Sequence, residues 1–238
     1  MSAARVWIVD LGLSPDRLHR CDAVLDGAER LRADRFLRPV DRARFVASHA
    51  ALRTVLADVL GLPPAEVEIT AGPGGKPELA GATRGAWQFN LSHSGARAVI
   101  GIARDMPIGV DVEAVRPIVD ALRIARAHFA ADEVSALSRA SRSTVERAFF
   151  GLWTRKEAVV KALGSGLSLP LDRFSVTVPP EVPRLLRAVG DGSWTLDGPW
   201  SLADLDCGAD HLATVAVRSA AVAITSHRLS DDWPEHLG

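Results

Sequence analysis

Phe149-Phe150-Gly151-Leu152-Trp153-Thr154-Arg155-Lys156-Glu157-Ala158-Val159-Val160-Lys161-Ala162-Leu163-Gly164 is the stretch on which the reading of this chain turns. Apolar residues recur at Val145, Phe149, Leu152, Val159, Val160 and Leu163, the stripe of a helix packed along one side. Within that helix Glu157 and Lys161 stand four residues apart, so a carboxylate and an ammonium share one face. Lys156 falls inside the apolar stripe. A charge left unpaired among buried apolar neighbours is costly, so this lysine needs a reason. The plainest is a surface helix with one ion pair and a lysine that snorkels to water.

Upstream, Ile108-Gly109-Val110-Asp111-Val112-Glu113 alternates apolar and acidic residues with the period of a strand. Carboxylates two residues apart on a strand point to the same side, about 6.5–7 Å apart. Facing a core, Asp111 and Glu113 would be buried like charges without partners, so that side is expected to face water or a cation. Mg²⁺ suits such a pair, since it takes few carboxylates and completes its shell with phosphates and water. Before it, Phe89-Asn90-Leu91-Ser92-His93-Ser94-Gly95 reads as a hairpin corner rich in donors for an anion. Ordinary turn chemistry accounts for the same residues. Further back, Gly72-Pro73-Gly74-Gly75-Lys76-Pro77 lets backbone approach a ligand and offers Lys76 to a phosphate. It is not a P-loop, because the spacing differs and no Ser or Thr follows the lysine.

In order, Gly75-Lys76-Pro77, Phe89 to Gly95, Gly109 to Glu113 and Trp153 to Lys161 resemble the motifs of the 4′-phosphopantetheinyl transferases of the larger, surfactin-synthetase-activating type. Gly164-Ser165-Gly166-Leu167-Ser168-Leu169-Pro170-Leu171 continues the match, which covers about residues 25 to 180. The acidic strand followed about 40 residues later by the Trp153–Lys161 helix is its specific part. The resemblance implies an enzyme that moves the phosphopantetheine arm of coenzyme A onto a serine of an apo acyl or peptidyl carrier domain and releases adenosine 3′,5′-bisphosphate. It implies Mg²⁺, with Mn²⁺ as the alternative, held by Asp111, Glu113 and Glu157. Glu157 would also take the serine proton, and Lys161 would contact the pyrophosphate as a second catalytic group. Coenzyme A would meet Arg32, Gly75, Lys76, Pro77, Asn90, Ser92, His93 and Lys161. The chemistry agrees with these roles: breaking a pyrophosphate by hydroxyl attack needs positioning, charge neutralisation and a base for the serine.

Arg30, Arg32, Arg35, Arg38, Arg42 and Arg44 crowd one segment. Arg32 best matches the relatives' 3′-phosphate contact, with Arg53 as another candidate, and a solvated arginine-rich helix as the competing reading. Glu29 stands where some relatives have a lysine. Two other function classes remain open: a carrier-binding module without chemistry, and a metal-dependent nucleotide phosphohydrolase. Together, Asp111, Glu113, Glu157 and Lys161 count against the first; the second would consume nucleotide without an acceptor.

The 238 residues suffice for one large domain or two small lobes, and 47% hydrophobic with 24% charged residues is a globular balance. A net charge of −1 gives no general pull toward nucleic acid. Cys21 and Cys207 make no disulfide framework. No apolar run reaches the ~18 residues of a membrane span, and the start does not read as a signal peptide. A cytoplasmic monomer is expected. Strands are expected near Ala4–Leu11, Val67–Thr70, Ala86–Leu91, Ala98–Ala103, Phe174–Val178, Arg184–Val189, Ser193–Leu196, Trp200–Leu205 and Leu212–Arg218, besides the acidic one. Helices are expected at Val40–Leu60, Ile118–His128, Ala131–Leu137 and Thr144–Leu163. The resemblance implies an α+β fold of two similar lobes related by a pseudo-twofold, 1–105 and 106–238. Each lobe would have a small, mainly antiparallel sheet on helices, and the active site would lie between them.

Overall fold

Ala4, Val6 and Ile8 alternate with Arg5, Trp7 and Val9 along Ala3–Asp10, a strand, β1, with the first three buried and Arg5 and Trp7 half-buried. The computed structural model describes residues 3–81, 85–141, 144–164, 169–188 and 196–237. After β1 come two short helices. Pro15 opens α1 (Pro15–Val24), where a missing N–H costs nothing. Asp26 and Glu29 close a reciprocal capping box on α2 (Gly27–Ala33). The long α3 (Pro39–Leu60) is buried along most of its length. A two-stranded ribbon, β2 (Ile69–Ala71) with β3 (Pro77–Leu79), leads to the hairpin β4 (Trp87–Ser94) and β5 (Arg97–Arg104). Then follow β6 (Ile108–Ala114), α4 (Ala121–His128), α5 (Ala131–Leu137) and α6 (Val145–Leu163). The chain ends in β7 (Phe174–Val176), β8 (Leu185–Ala188), β9 (Ser201–Leu205), β10 (His211–Val217) and β11 (Ala223–Arg228).

This is a mixed α+β chain with small sheets. One has the strand order β11-β1-β5-β4, the other β6-β10-β9, and β7 pairs with β8. Among the described residues every pairing is antiparallel except β1 with β11, which is parallel. The expected strand Ser193–Leu196 begins outside the described residues, as do the end of the Arg184–Val189 strand and Ser165–Ser168 of the matched extension. The structure adds α1, α2, β3 and β11 to the elements the sequence suggests.

Alternate faces of the strands fill different cores. Val9 of β1 and Ile100 and Ile102 of β5 pack with Phe45, Leu52 and Leu56 of α3. Ala4, Val6 and Ile8 on the other side of β1 meet Val110 and Val112 of β6 and Val215 and Val217 of β10. The second sheet's far face, with Ala216, packs with Phe149, Leu152 and Val159 of α6. The result is four layers: α3, first sheet, second sheet, α6. Among the described residues no helix is long and apolar enough to cross a membrane. Both cysteines are buried thiols.

Candidate active site

β4 and β6 are edge strands of different sheets, and side chains join them. Asn90, Ser92 and Ser94 alternate along β4 and so share one face. Asn90 Oδ1 accepts the Val110 N–H at 2.9 Å, Ser92 Oγ that of Val112 at 3.3 Å, and Ser94 Oγ that of Ala114 at 3.1 Å. Both hydroxyls then donate their own protons to the acidic residues between: Ser92 to Asp111 at 3.0 Å and Ser94 to Glu113 at 2.9 Å. The expected hairpin corner is therefore strand as far as Ser94, because these side chains bond to the neighbouring strand rather than to their own backbone.

Gly109 lets α6 lie directly on β6. A Cβ there would stand 2.1 Å from the Ala158 carbonyl oxygen and 2.3 Å from the Ala162 nitrogen, so any side chain would lift the helix. At this contact Lys161 Nζ reaches Asp111 Oδ1 at 2.5 Å and Ser92 Oγ at 3.0 Å. Asp111 is only 3% exposed, so of the two expected outlooks, water or a cation, its side of the strand has the second: it faces an ammonium of the same chain. Burial pushes the Asp111 carboxyl up to about 6, against the pull of Lys161 and with a further push from Glu113. Burial, and then the charge of Asp111, also raises the Glu157 carboxyl, with Lys161 opposing. The three carboxylates and Lys161 thus form one electrostatic unit.

Asp111 Oδ2 is buried and has no hydrogen-bond partner among the described residues. Such an orphaned acceptor is rare and calls for an occupant. A hard cation with oxygen ligands fits that atom and the carboxylate donor set of Asp111, Glu113 and Glu157. Among the described residues no three His, Cys, Asp or Glu side chains are grouped tightly enough to enclose a metal by themselves. Phosphate or water oxygens would have to complete a shell.

The other expected contacts are distributed as follows. Pro73–Gly75 form a tight turn, after which Lys76 Nζ donates to Ile108 O at 3.2 Å and to Ala162 O at 3.0 Å. Burial lowers this ammonium to about 8. Lys76 thereby ties the glycine-rich turn to β6 and to the last turn of α6. His93 is exposed near the end of β4, on the face that Phe89 and Leu91 turn toward α3, its pKa lowered by partial burial and by the positive charges of His49, Lys161, Arg44 and Arg32. Five cationic or titratable basic groups therefore converge there. Arg32 lies over the Phe45 ring at 5.3 Å, and His49 stacks on the same ring with centroids 4.0 Å apart.

Arg53 is excluded from an anion site by its own bonds. It is 1% exposed and donates to Glu29, Asp26, Pro64 O and Val67 O. Glu29 also holds His49 Nδ1 at 2.8 Å. Lys156 does not snorkel: fully buried, it donates to both Glu133 oxygens at 2.7 and 2.6 Å and to Phe174 O at 2.6 Å. Sequence reasoning assigned no role to Ser94 or His49. The period-two continuation from Ser92 could have found the first. Helical spacing from Phe45 could have pointed to the second only weakly. A small pocket of about 210 Å³ adjoins Glu113, walled by Phe149, Phe150 and Trp153 with Arg116 at its rim.

Comparison with known proteins gives two family matches. Residues 107–216 match the 4′-phosphopantetheinyl transferase superfamily, and residues 14–104 match the 4′-phosphopantetheinyl transferase N-terminal family. The chain is 32% identical over 213 residues to the 4′-phosphopantetheinyl transferase HetI of a Nostoc species, covering 89% of this chain and 86% of that one. It is 34% identical over 168 residues to the 4′-phosphopantetheinyl transferase ffp of Bacillus subtilis, covering 71% and 73%. Sfp of Bacillus subtilis, a 4′-phosphopantetheinyl transferase, is 33% identical over 168 residues, with the same shares covered.

Proposed function

The chain belongs to the 4′-phosphopantetheinyl transferase superfamily and is an enzyme of that kind, and from this we propose a specific reaction. A carrier-domain serine attacks the pantetheine-side phosphorus of the coenzyme A pyrophosphate. The new P–O bond forms as the bond to the bridging oxygen breaks, and adenosine 3′,5′-bisphosphate leaves with that oxygen. The observation that carries this reading is the Asp111–Lys161 contact beside Glu157, with the second Asp111 oxygen buried and unpartnered.

Glu157 accepts the serine proton. Its raised pKa brings it nearer the operating pH, where a base is most effective. Lys161 is placed to offset charge on the pyrophosphate as it divides. Ser92 and Ser94 hold Asp111 and Glu113 at fixed positions. The basic group of Arg32, Arg44, His49 and His93 supports a site for the nucleotide's anionic end, including its 3′-phosphate. Asp111, Glu113 and Glu157 would hold Mg²⁺, with Mn²⁺ as the alternative, and the ion when bound supplies charge neutralisation at the pyrophosphate.

The pseudo-twofold pair of lobes belongs to the same proposal. In its support, each half contributes a mainly antiparallel sheet with one long helix, α3 or α6, on its outer face. The division falls near residue 105, with β11 returning to the first half. Partner, monomeric state and cytoplasmic site of action are part of it too. The test is intact-mass analysis of a panel of apo carrier domains incubated with the chain, Mg²⁺ and coenzyme A. Addition of one phosphopantetheine arm to at least one carrier is expected. Nucleotide cleavage without an acceptor, or no modified carrier, would overturn the reading.

A further inference from the structure

A cavity of about 510 Å³ opens in the second half. Asp111, Glu113, Glu157 and Lys161 take no part in its lining. It is cut between the first turns of α6 and the strands β9 and β10, with Val178 to Pro180 forming one wall. Helix α6 leaves the room by presenting small residues: Ala148 and Gly151 line the cavity where larger ones would close it. At Gly151 even a Cβ would stand 2.7 Å from Pro179 Cγ. The interior is otherwise apolar, with Leu205 and Leu212 from the strands. This size and lining suit a small organic molecule.

The rim supplies the second half of the argument. Arg139 and Arg147 are exposed at the cavity edge, and each is seen to spend one Nη1 donor on the protein, to Ser135 Oγ at 3.3 Å and Ala209 O at 2.8 Å. Asp204, the acidic residue of the lining, is already engaged by Arg155 at 2.6 and 3.2 Å and by Thr214 at 3.0 Å. Among the described residues, two guanidinium forks therefore overlook an apolar hole with no lining carboxylate left to neutralise them. We propose that this cavity is a binding site for an amphiphilic carboxylate, its aliphatic tail in the hole and its head on Arg139 and Arg147. A planar guanidinium matches a carboxylate in both geometry and charge.

Titration calorimetry of the whole chain with decanoate tests this. Saturable binding at one site is expected, at least tenfold tighter than butyrate, whose tail leaves the hole empty. Arg139→Gln with Arg147→Gln should weaken decanoate at least tenfold, and decyltrimethylammonium should not bind. Ala148→Phe should abolish binding by filling the hole. If that variant fails to fold, the rim pair decides, because both arginines are exposed. Absence of saturable decanoate binding, equal affinity in the double glutamine variant, or displacement of decanoate by coenzyme A would each overturn the assignment.

Discussion

Glu157 carries the sharpest test at the scale of single residues. Glu157→Gln keeps the side chain's size and one oxygen but cannot take a proton. Single-turnover transfer to an apo carrier should fall by ~10²–10⁴-fold, with coenzyme A affinity little changed. If extra Mg²⁺ restored the rate to within a few-fold, Glu157 would be a ligand and not the base. Glu29 makes a prediction in acid. Burial alone would raise its carboxyl, but the hydrogen bond and charge of His49, and the charge of Arg53, hold it down at about 2 against an ordinary 4.5. As pH falls the unfolded chain takes up the proton first. The stabilisation is thus full above about pH 4.5 and is lost as pH drops through about 2, amounting to about 3 kcal/mol. Urea unfolding at pH 5 and pH 2.5 should show a smaller acid loss in Glu29→Gln than in the parent; parallel losses would refute it. At this scale the sequence showed which groups are acidic and on which side of a strand they lie. It did not show that the cation facing Asp111 is Lys161, or that Arg53 is spent on Glu29 and Asp26. Those partners come from 50, 24 and 27 residues away, and spacing within one element carries no such information.

α6 shows the same limit among elements. Its length and its end at Gly164 follow from its apolar period and the glycine, and both were legible. Why a lysine sits in its buried stripe was not, because the answer lies on α5. Glu133 accepts the Ala130 and Val176 N–H groups and takes Lys156 on both oxygens, so one carboxylate fastens α5, α6 and β7 together. Burial raises this carboxyl and lowers the Lys156 ammonium to about 8, so the pair survives only as a pair. Lys156→Met alone should cost about 3–5 kcal/mol in denaturant unfolding, since it strands a buried charge. Adding Glu133→Gln, which removes the stranded charge and keeps an acceptor for a backbone N–H that Glu133 holds, should recover part of that; a double variant no better than the single would show that the stranded charge is not the cause. The short helices α1 and α2 were missed for a related reason. Only Cys21, Val24 and Ala33 are buried on them, too few to mark an apolar face in the sequence.

Over the whole molecule, the least legible feature is the return of the C-terminus. β11 is mostly polar and exposed, and it gains its place by parallel pairing with β1, more than two hundred residues away in sequence. Beyond it Trp233 and Leu237 are buried in the core that α3 forms with the first sheet. Removing residues 223–237 should therefore loosen the first half more than the second. Hydrogen exchange should speed most at β1 and α3; faster exchange confined to β9 and β10 would contradict this. The rungs that Asn90, Ser92 and Ser94 set against β6 have an outcome beyond the site. Bare strand margins invite a stray extended peptide to dock and seed fibres. β4 and β6 are both terminal strands of their sheets, yet the Val110, Val112 and Ala114 amides are already spoken for. The same three side chains that steady the acidic residues also leave no template there for aggregation.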